Sequence, residues 1–295
     1  MTTIAFLGLG HMGTPMAVNL VAAGYDVLGF DVVPAATEAA RDLGIRVADT
    51  AAEAVSTADV VITMFPSGAH VIDAYPALLG AAQQGTLFID SSTIAVDDAR
   101  TAHDLAVAAG HRNVDAPVSG GVVGAVAGTL SFMVGGDDAD VAAARPVLEV
   151  MGKRVVHCGG PGLGQAAKVC NNLILGASMI AVSEAFVLGE KLGLSHEALF
   201  DVASAASGQC WALTTNCPVP GPVPASPANH DYQPGFAGAL MAKDLGLAQE
   251  AFDSTGVSAE LGTLAAAMYR RFADGAGASR DFSGIIEDIR ERSAT

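Results

Sequence analysis

Residues 3–20 read TIAFLGLGHMGTPMAVNL. An apolar run, 4–7, leads into Gly8-Leu9-Gly10-His11-Met12-Gly13, and an amphipathic stretch over 12–23 follows. The order strand, Gly-x-Gly-x-x-Gly, helix gives each glycine a task. Gly8 permits the tight turn, Gly10 lets an anion approach the backbone, and Gly13 lets the helix pack close to the strand. The helix start then presents N–H groups and a partial positive charge to that anion. The pattern predicts a cradle for the pyrophosphate of a dinucleotide, with Gly8, Leu9, Gly10, His11, Met12 and Gly13 as its contacts.

A second strand over 26–30 runs into Asp31, 18 residues after Gly13. A carboxylate at that distance accepts hydrogen bonds from the ribose hydroxyls and repels a 2′-phosphate. No Arg or Lys follows until Arg41. The expected cofactor is therefore NAD rather than NADP.

Outward from this loop, strand candidates at 4–7, 27–30, 60–64 and 86–90 are followed by others near 113–116, 130–134 and 155–158. Helical patterns at 12–23, 51–56, 69–82 and 96–109 separate most of them. Nearly continuous apolar strands alternating with helices predict an α/β fold, a Rossmann-type doubly wound sheet covered on both faces. The texture changes after Gly164. Residues 165–192 contain no proline and are apolar nearly all round, which predicts one long helix buried on most sides at a domain junction or a subunit interface. Helices at 196–206, 239–253, 259–274 and 282–292 follow, with Ser195 as an N-cap and a Pro-rich loop over 218–234. The expected organisation is a cofactor domain over 1–163, an interdomain helix over 164–193 and an all-α domain over 194–295.

With 51% hydrophobic and 16% charged residues, the chain can bury a large core. A net charge of −16 argues against nucleic acid or an anionic membrane as partner. The four cysteines, 158, 170, 210 and 217, form no CxxC pair and have no nearby histidine cluster, so neither a metal site nor a disulfide framework is expected. The first strand follows Met1 directly, and the most apolar helical run, 173–182, is too short to span a bilayer. A soluble, cytoplasmic protein is the expectation.

Three further segments carry chemistry. Asp90-Ser91-Ser92-Thr93 ends a strand at the edge where ligands of such sheets bind, so Thr93 is either a cofactor contact or an N-cap for the next helix. Asp115-Ala116-Pro117-Val118-Ser119-Gly120-Gly121 offers a hydroxyl and two glycines, suited to gripping a carboxylate or to a plain turn. Lys168 is a cation within the long apolar helix, with Asn172 one turn later on the same face. Burial would favour the neutral amine and make Lys168 an acid/base group, whereas a lysine at a helix end also commonly snorkels. Asn171 points about 100° away from Asn172 and suits packing or the domain junction.

The segments GLGHMGTPMAVNL (8–20), DAPVSGG (115–121), FMVGG (132–136), GLGQAAKVCNN (162–172) and MAKDLGLA (241–248) together resemble the β-hydroxyacid dehydrogenase family, in its order and over most of the chain. SGQCW (207–211), NCPVPG (216–221) and FAGALMAKDLGLAQ (236–249) resemble its 3-hydroxyisobutyrate branch, whose members usually carry Arg where this chain has Gln209. The resemblance implies NAD-dependent oxidation of (S)-3-hydroxyisobutyrate to methylmalonate semialdehyde in valine catabolism. It implies Lys168 as acid/base, with Ser119, Gly120 and Gly121 on the substrate carboxylate. Asn172 would orient the substrate, and Trp211 and Phe236 would line its apolar side. Phe65, Pro66, Thr93 and Lys243 would contact the cofactor. It also implies a small anionic 3-hydroxy acid as ligand and a homodimer or homotetramer packed through the helical domains. The readings still open are a reductase of another small semialdehyde (tartronate or succinic), an imine reductase of the same architecture, and a non-catalytic dinucleotide sensor.

Overall fold

A computed structural model describes residues 2–294. The chain separates after Lys168 into two compact units.

The first unit runs β1 (Thr3–Leu7), α1 (Gly13–Ala22), β2 (Asp26–Phe30), α2 (Pro34–Asp42), β3 (Arg46–Val47), α3 (Ala51–Val55), β4 (Val60–Thr63), α4 (Gly68–Ala81), β5 (Leu87–Asp90), α5 (Val96–Ala108), β6 (Arg112–Asp115), β7 (Val118–Ser119), α6 (Gly121–Ala127), β8 (Leu130–Gly135), α7 (Asp138–Met151) and β9 (Gly152–Gly159). The strands form one sheet in the order β3-β2-β1-β4-β5-β6-β8-β7, with β9 also paired to β8. Pairing is parallel from β3 through β6. β8 runs antiparallel to β6 and β7 and parallel to β9.

The period of two along the strands splits the core. Ile4, Phe6, Ile62 and Ile89 join Met16 and Leu20 of α1 on one face. Ala5, Leu7, Val61 and Phe88 meet Val71, Tyr75, Leu78, Ala99 and Ala102 of α4 and α5 on the other. Burial on both faces is what a parallel sheet with helical crossovers requires. The chain leaves β1 toward β2 on one side and returns to β4 on the other. The carboxyl ends of these strands thus flank a topological switch point, where ligands of doubly wound sheets bind.

The sequence pattern did not reveal β3 and β7, which have two residues each, nor α2, α6 and α7. A two-residue strand leaves no periodicity to read, and its existence depends on a neighbour's free edge.

α8 (Leu163–Leu192) is one continuous helix of 30 residues. From Val169 onward the second unit is helical: α9 (His196–Ala205), capped by Ser195 Oγ accepting from Ala198 N, then α10 (Trp211–Thr214), α11 (Gly238–Thr255), α12 (Glu260–Ala273) and α13 (Ile285–Ser293). α10 is a short helix that the sequence pattern did not reveal. Its core gathers Met179, Ile180, Met241, Leu245, Tyr269, Phe272 and Phe282, with a second cluster around Phe186, Val187, Leu213 and Ile286.

Two expectations about α8 need correction. It is long and apolar enough, by length and composition, to cross a membrane, because the helix continues well past the 173–182 run. Polar Asn172 and Ser183 are nevertheless buried along it, as in a core helix of a folded domain. Nor is it buried on most sides within the single chain. Val169, Met179, Ile180, Phe186 and Val187 are covered, whereas Ile174, Leu188 and Leu192 are exposed, because the second unit packs against one side only.

Candidate active site

The Gly8–Gly13 loop has the geometry its sequence calls for. Gly8 has φ +96°, and a Cβ there would lie 2.3 Å from Met64 O. A Cβ on Gly13 would lie 1.8 Å from Gly8 O, so α1 can approach β1 only without one. Gly10 differs: nothing lies within 4 Å of where its Cβ would be, which leaves open space over the loop. No side chain caps α1, and its first turn carries no acid that would compete with a bound phosphate. His11 is exposed, Met12 half-buried and Leu9 buried.

Asp31 serves the loop as well as any ligand. Its Oδ2 accepts from Leu9 N at 2.7 Å and its Oδ1 from Val33 N at 2.8 Å. Each carboxylate oxygen keeps a further lone pair for a ribose hydroxyl. Val32 and Val33 beside it are exposed and uncharged, so these neighbours supply no cation for a 2′-phosphate. The open face over Gly10, the uncapped helix and this acid together fit NAD.

The next two strand ends are tied by a buried carboxylate. Asp90 Oδ1 accepts from Thr63 Oγ1 (2.8 Å), Ser92 Oγ (2.6 Å) and Ser92 N (3.1 Å). Ser92 Oγ in turn accepts from Phe65 N at 2.8 Å. This chain fixes the Phe65–Pro66 turn relative to Thr93. Burial pushes the Asp90 carboxyl up to about 6, against the opposing pull of the Ser92 and Thr63 hydrogen bonds. Thr93 is half-buried and is not a helix cap, since Ala95 occupies the N-cap of α5.

Gln165 closes over the same segment. Its Nε2 donates to Ser92 O (2.7 Å) and its Oε1 accepts from Ile94 N (3.2 Å), one bond on each side of Thr93. Asp115 anchors the start of α8 by accepting from Gly162 N and Gln165 N, both at 2.8 Å. Its carboxyl is raised by burial, with those backbone bonds opposing the shift.

Lys168, buried, donates from Nζ to Val118 O at 2.9 Å. Val118 and Ser119 form β7, and Gly120 (φ +136°) and Gly121 (φ +60°) then turn the chain into α6. The first unit therefore brings Lys168 against the Ser119–Gly121 loop. Both glycines adopt backbone that side-chain-bearing residues avoid.

The second unit groups Asn172 with Lys243. Asn172 Nδ2 donates to the buried carboxylate of Asp244 (Oδ2, 2.5 Å), and its Oδ1 accepts from Asn171 Nδ2 at 2.9 Å. Lys243 Nζ lies 3.7 Å from Asp244 Oδ1. Trp211 is half-exposed on α10. Phe236 packs edge-on to Phe282, and the turn it occupies is held by Asp281, whose carboxylate accepts from Gly235 N, Phe236 N, Asn216 Nδ2, Ser283 N and Ser283 Oγ. Phe236, half-buried, packs against the core of its own unit. Gln209 is exposed, its Nε2 3.5 Å from Thr214 Oγ1. Among the described residues no cluster of His, Cys, Asp or Glu is arranged to hold a metal.

The sequence reading passed over Asp90, Ser92, Asp115, Gln165 and Asp244. All five lie inside motifs it singled out, but nothing in spacing distinguishes an internal brace from its neighbours.

Comparisons with known proteins show the family to which the chain belongs. Residues 3–160 match the family profile described as the NAD binding domain of 6-phosphogluconate dehydrogenase. Residues 162–289 match that described as NAD-binding of NADP-dependent 3-hydroxyisobutyrate dehydrogenase. A probable 3-hydroxyisobutyrate dehydrogenase of Mycobacterium tuberculosis is 58% identical over 99% of both chains. An NAD-dependent L-serine dehydrogenase of Pseudomonas aeruginosa is 47% identical over 97% of both. A solved Mycobacterium tuberculosis 3-hydroxyisobutyrate dehydrogenase with L-serine superposes with a TM-score of 0.96, at 58% identity over 98% of this chain and 99% of that one.

Proposed function

From the chain's membership of the 3-hydroxyisobutyrate dehydrogenase family, we propose that it oxidises (S)-3-hydroxyisobutyrate to methylmalonate semialdehyde with NAD. The observation that carries this reading is the hydrogen bond from Lys168 Nζ to Val118 O, which sets a buried amine beside the Ser119–Gly121 turn. A 3-hydroxy acid has a carboxylate at one end and a hydroxyl two carbons away. The Ser119 hydroxyl and the backbone N–H groups of the Gly120–Gly121 turn take the carboxylate, and Lys168 takes the hydroxyl.

Held by the Gly8–Gly13 loop and Asp31, NAD would supply the hydride acceptor. The residues supply the rest. Lys168, as the neutral amine, accepts the hydroxyl proton as the C–H bond breaks and the C–O bond becomes C=O. Thr93 and the Phe65–Pro66 turn would border the cofactor's reacting end. The carboxylate of the product is retained.

L-Serine is a second substrate reading, favoured by the two relatives whose names carry it. It presents the same carboxylate and 3-hydroxyl, with an amino group in place of the methyl. NAD and NADP reduction measured across (S)-3-hydroxyisobutyrate, L-serine and longer 3-hydroxy acids tests both. The expected result is highest kcat/KM for hydroxyisobutyrate with NAD. A higher value for serine would make the chain a serine dehydrogenase, and no turnover of any 3-hydroxy acid would favour a non-catalytic dinucleotide sensor. We further propose a cytoplasmic role in valine breakdown and a homodimer or homotetramer, supported by the exposed Ile174, Leu188 and Leu192 of α8. Light scattering that returned a monomer would refute the assembly.

A further inference from the structure

We infer that Gln165 is a positioning residue for hydride transfer: its amide clamps both sides of Thr93 and ties that loop to Lys168. The inference rests on the functional reading above. Gln165 is fully buried, and both ends of its amide are engaged. The Nε2 end holds Ser92 O and the Oε1 end holds Ile94 N, so the peptide units on either side of Thr93 cannot move independently of α8. Lys168 follows three residues later on that helix, on the same face.

The helix is itself fixed at this end. Asp115 accepts from Gly162 N and Gln165 N. Gly164 and Gly135 sit where a Cβ would lie within 2.4 Å of Met133 O or Asp115 Oδ1, so α8 starts pressed against the sheet. Val118, which receives Lys168, lies three residues beyond Asp115. One rigid frame therefore holds the proton acceptor, the carboxylate-binding turn and the loop bordering the nicotinamide. Gln165 is the member that reaches the nicotinamide loop. Loss of its amide leaves Ser92 O and Ile94 N buried without these partners and lets Thr93 shift relative to Lys168. Misplacement of about 1 Å costs roughly 10²-fold in rate.

Gln165→Met keeps the side-chain length and removes both hydrogen bonds. It is expected to bind NADH within about threefold of wild type, because the pyrophosphate and ribose contacts are untouched, while kcat falls about 10²-fold. The primary deuterium isotope effect on kcat, with substrate deuterated at the carbinol carbon, should rise. Amide exchange over residues 92–94 should accelerate, and NADH fluorescence in the binary complex should report a more mobile nicotinamide. Gln165→Glu gives a second arm. Its protonated acid reproduces the amide pattern, with C=O accepting from Ile94 N and O–H donating to Ser92 O. The ratio of Q165E to wild-type kcat should therefore rise as pH falls. An unchanged isotope effect in Gln165→Met together with a flat Q165E ratio would overturn the inference, as would NADH fluorescence and amide exchange identical to wild type. If the wild type turns over no 3-hydroxy acid, the functional reading fails, and the exchange and NADH arms still decide whether Gln165 holds the loop.

Discussion

Lys168 and Asp31 show how single side chains acquire their roles. Lys168 Nζ donates to the Val118 carbonyl, which fixes its direction. Lys168→Ala should lower kcat by about 10²–10⁴-fold, the range for loss of a general base, while NAD affinity measured by calorimetry stays nearly unchanged. Because only the neutral amine accepts a proton, wild-type kcat/KM should fall toward acid pH. Asp31 holds Leu9 N and is also the proposed ribose contact, so its removal is expected to loosen the loop and the specificity together. Asp31→Ala should weaken NAD about tenfold or more, the scale of a hydrogen bond to a charged group, and weaken NADP less. Steady-state KM values for the two cofactors read the difference directly, and an unchanged preference would rule out the ribose role.

At the scale of the element, α8 depends on its first turn. A 30-residue helix needs acceptors for its leading N–H groups, and Asp115 satisfies those of Gly162 and Gln165 from the end of β6. Asp115→Ala leaves both without that acceptor in a buried setting, with an expected loss of about 1–3 kcal/mol in urea unfolding and faster amide exchange over residues 162–168. Turnover should fall with it, since the same turn carries Gln165 and leads to Lys168. Asp281 does comparable work in the second unit by gathering five donors around the turn that carries Phe236.

Over the whole molecule, the two units respond to pH with opposite signs. In the first, burial raises Asp90 to about 6 and also raises Asp115. An acid raised on folding contributes stability that is full below its unfolded pKa of about 4 and is lost as pH rises through 6, at most about 3 kcal/mol for Asp90. In the second, the Arg290 guanidinium hydrogen-bonded to Glu190 lowers that carboxyl. Its contribution is present above the ordinary glutamate range and disappears as pH falls below about 4. Amide exchange resolved by unit should show the sheet unit gaining protection from pH 7 to 5 while the helical unit holds steady, then the helical unit weakening below pH 4. Asp90→Asn should flatten the first response.

By itself the sequence determined whatever depends on local geometry. Gly8, Gly10 and Gly13 between a strand and a helix can be placed because tight turns and close helix packing demand residues without a Cβ. Apolar runs alternating with helical patterns predicted the doubly wound sheet because burial on two faces leaves that periodicity. The Ser119–Gly121 turn, Lys168, Asn172 and Lys243 were legible as polar groups in recognisable motifs, though their partners were not. Tertiary structure alone decided that Lys168 meets Val118, that Asn172 meets Asp244, and that Gln165 spans Thr93 across 71 and 73 residues of chain. It also decided that two-residue strands β3 and β7 exist, and that α8 buries one side rather than most of its surface. The physical reason is the same in each case. Periodicity and turn chemistry act over a few neighbouring residues, whereas a buried polar side chain takes its partner from whichever distant backbone the packing of the core brings within 3 Å or so.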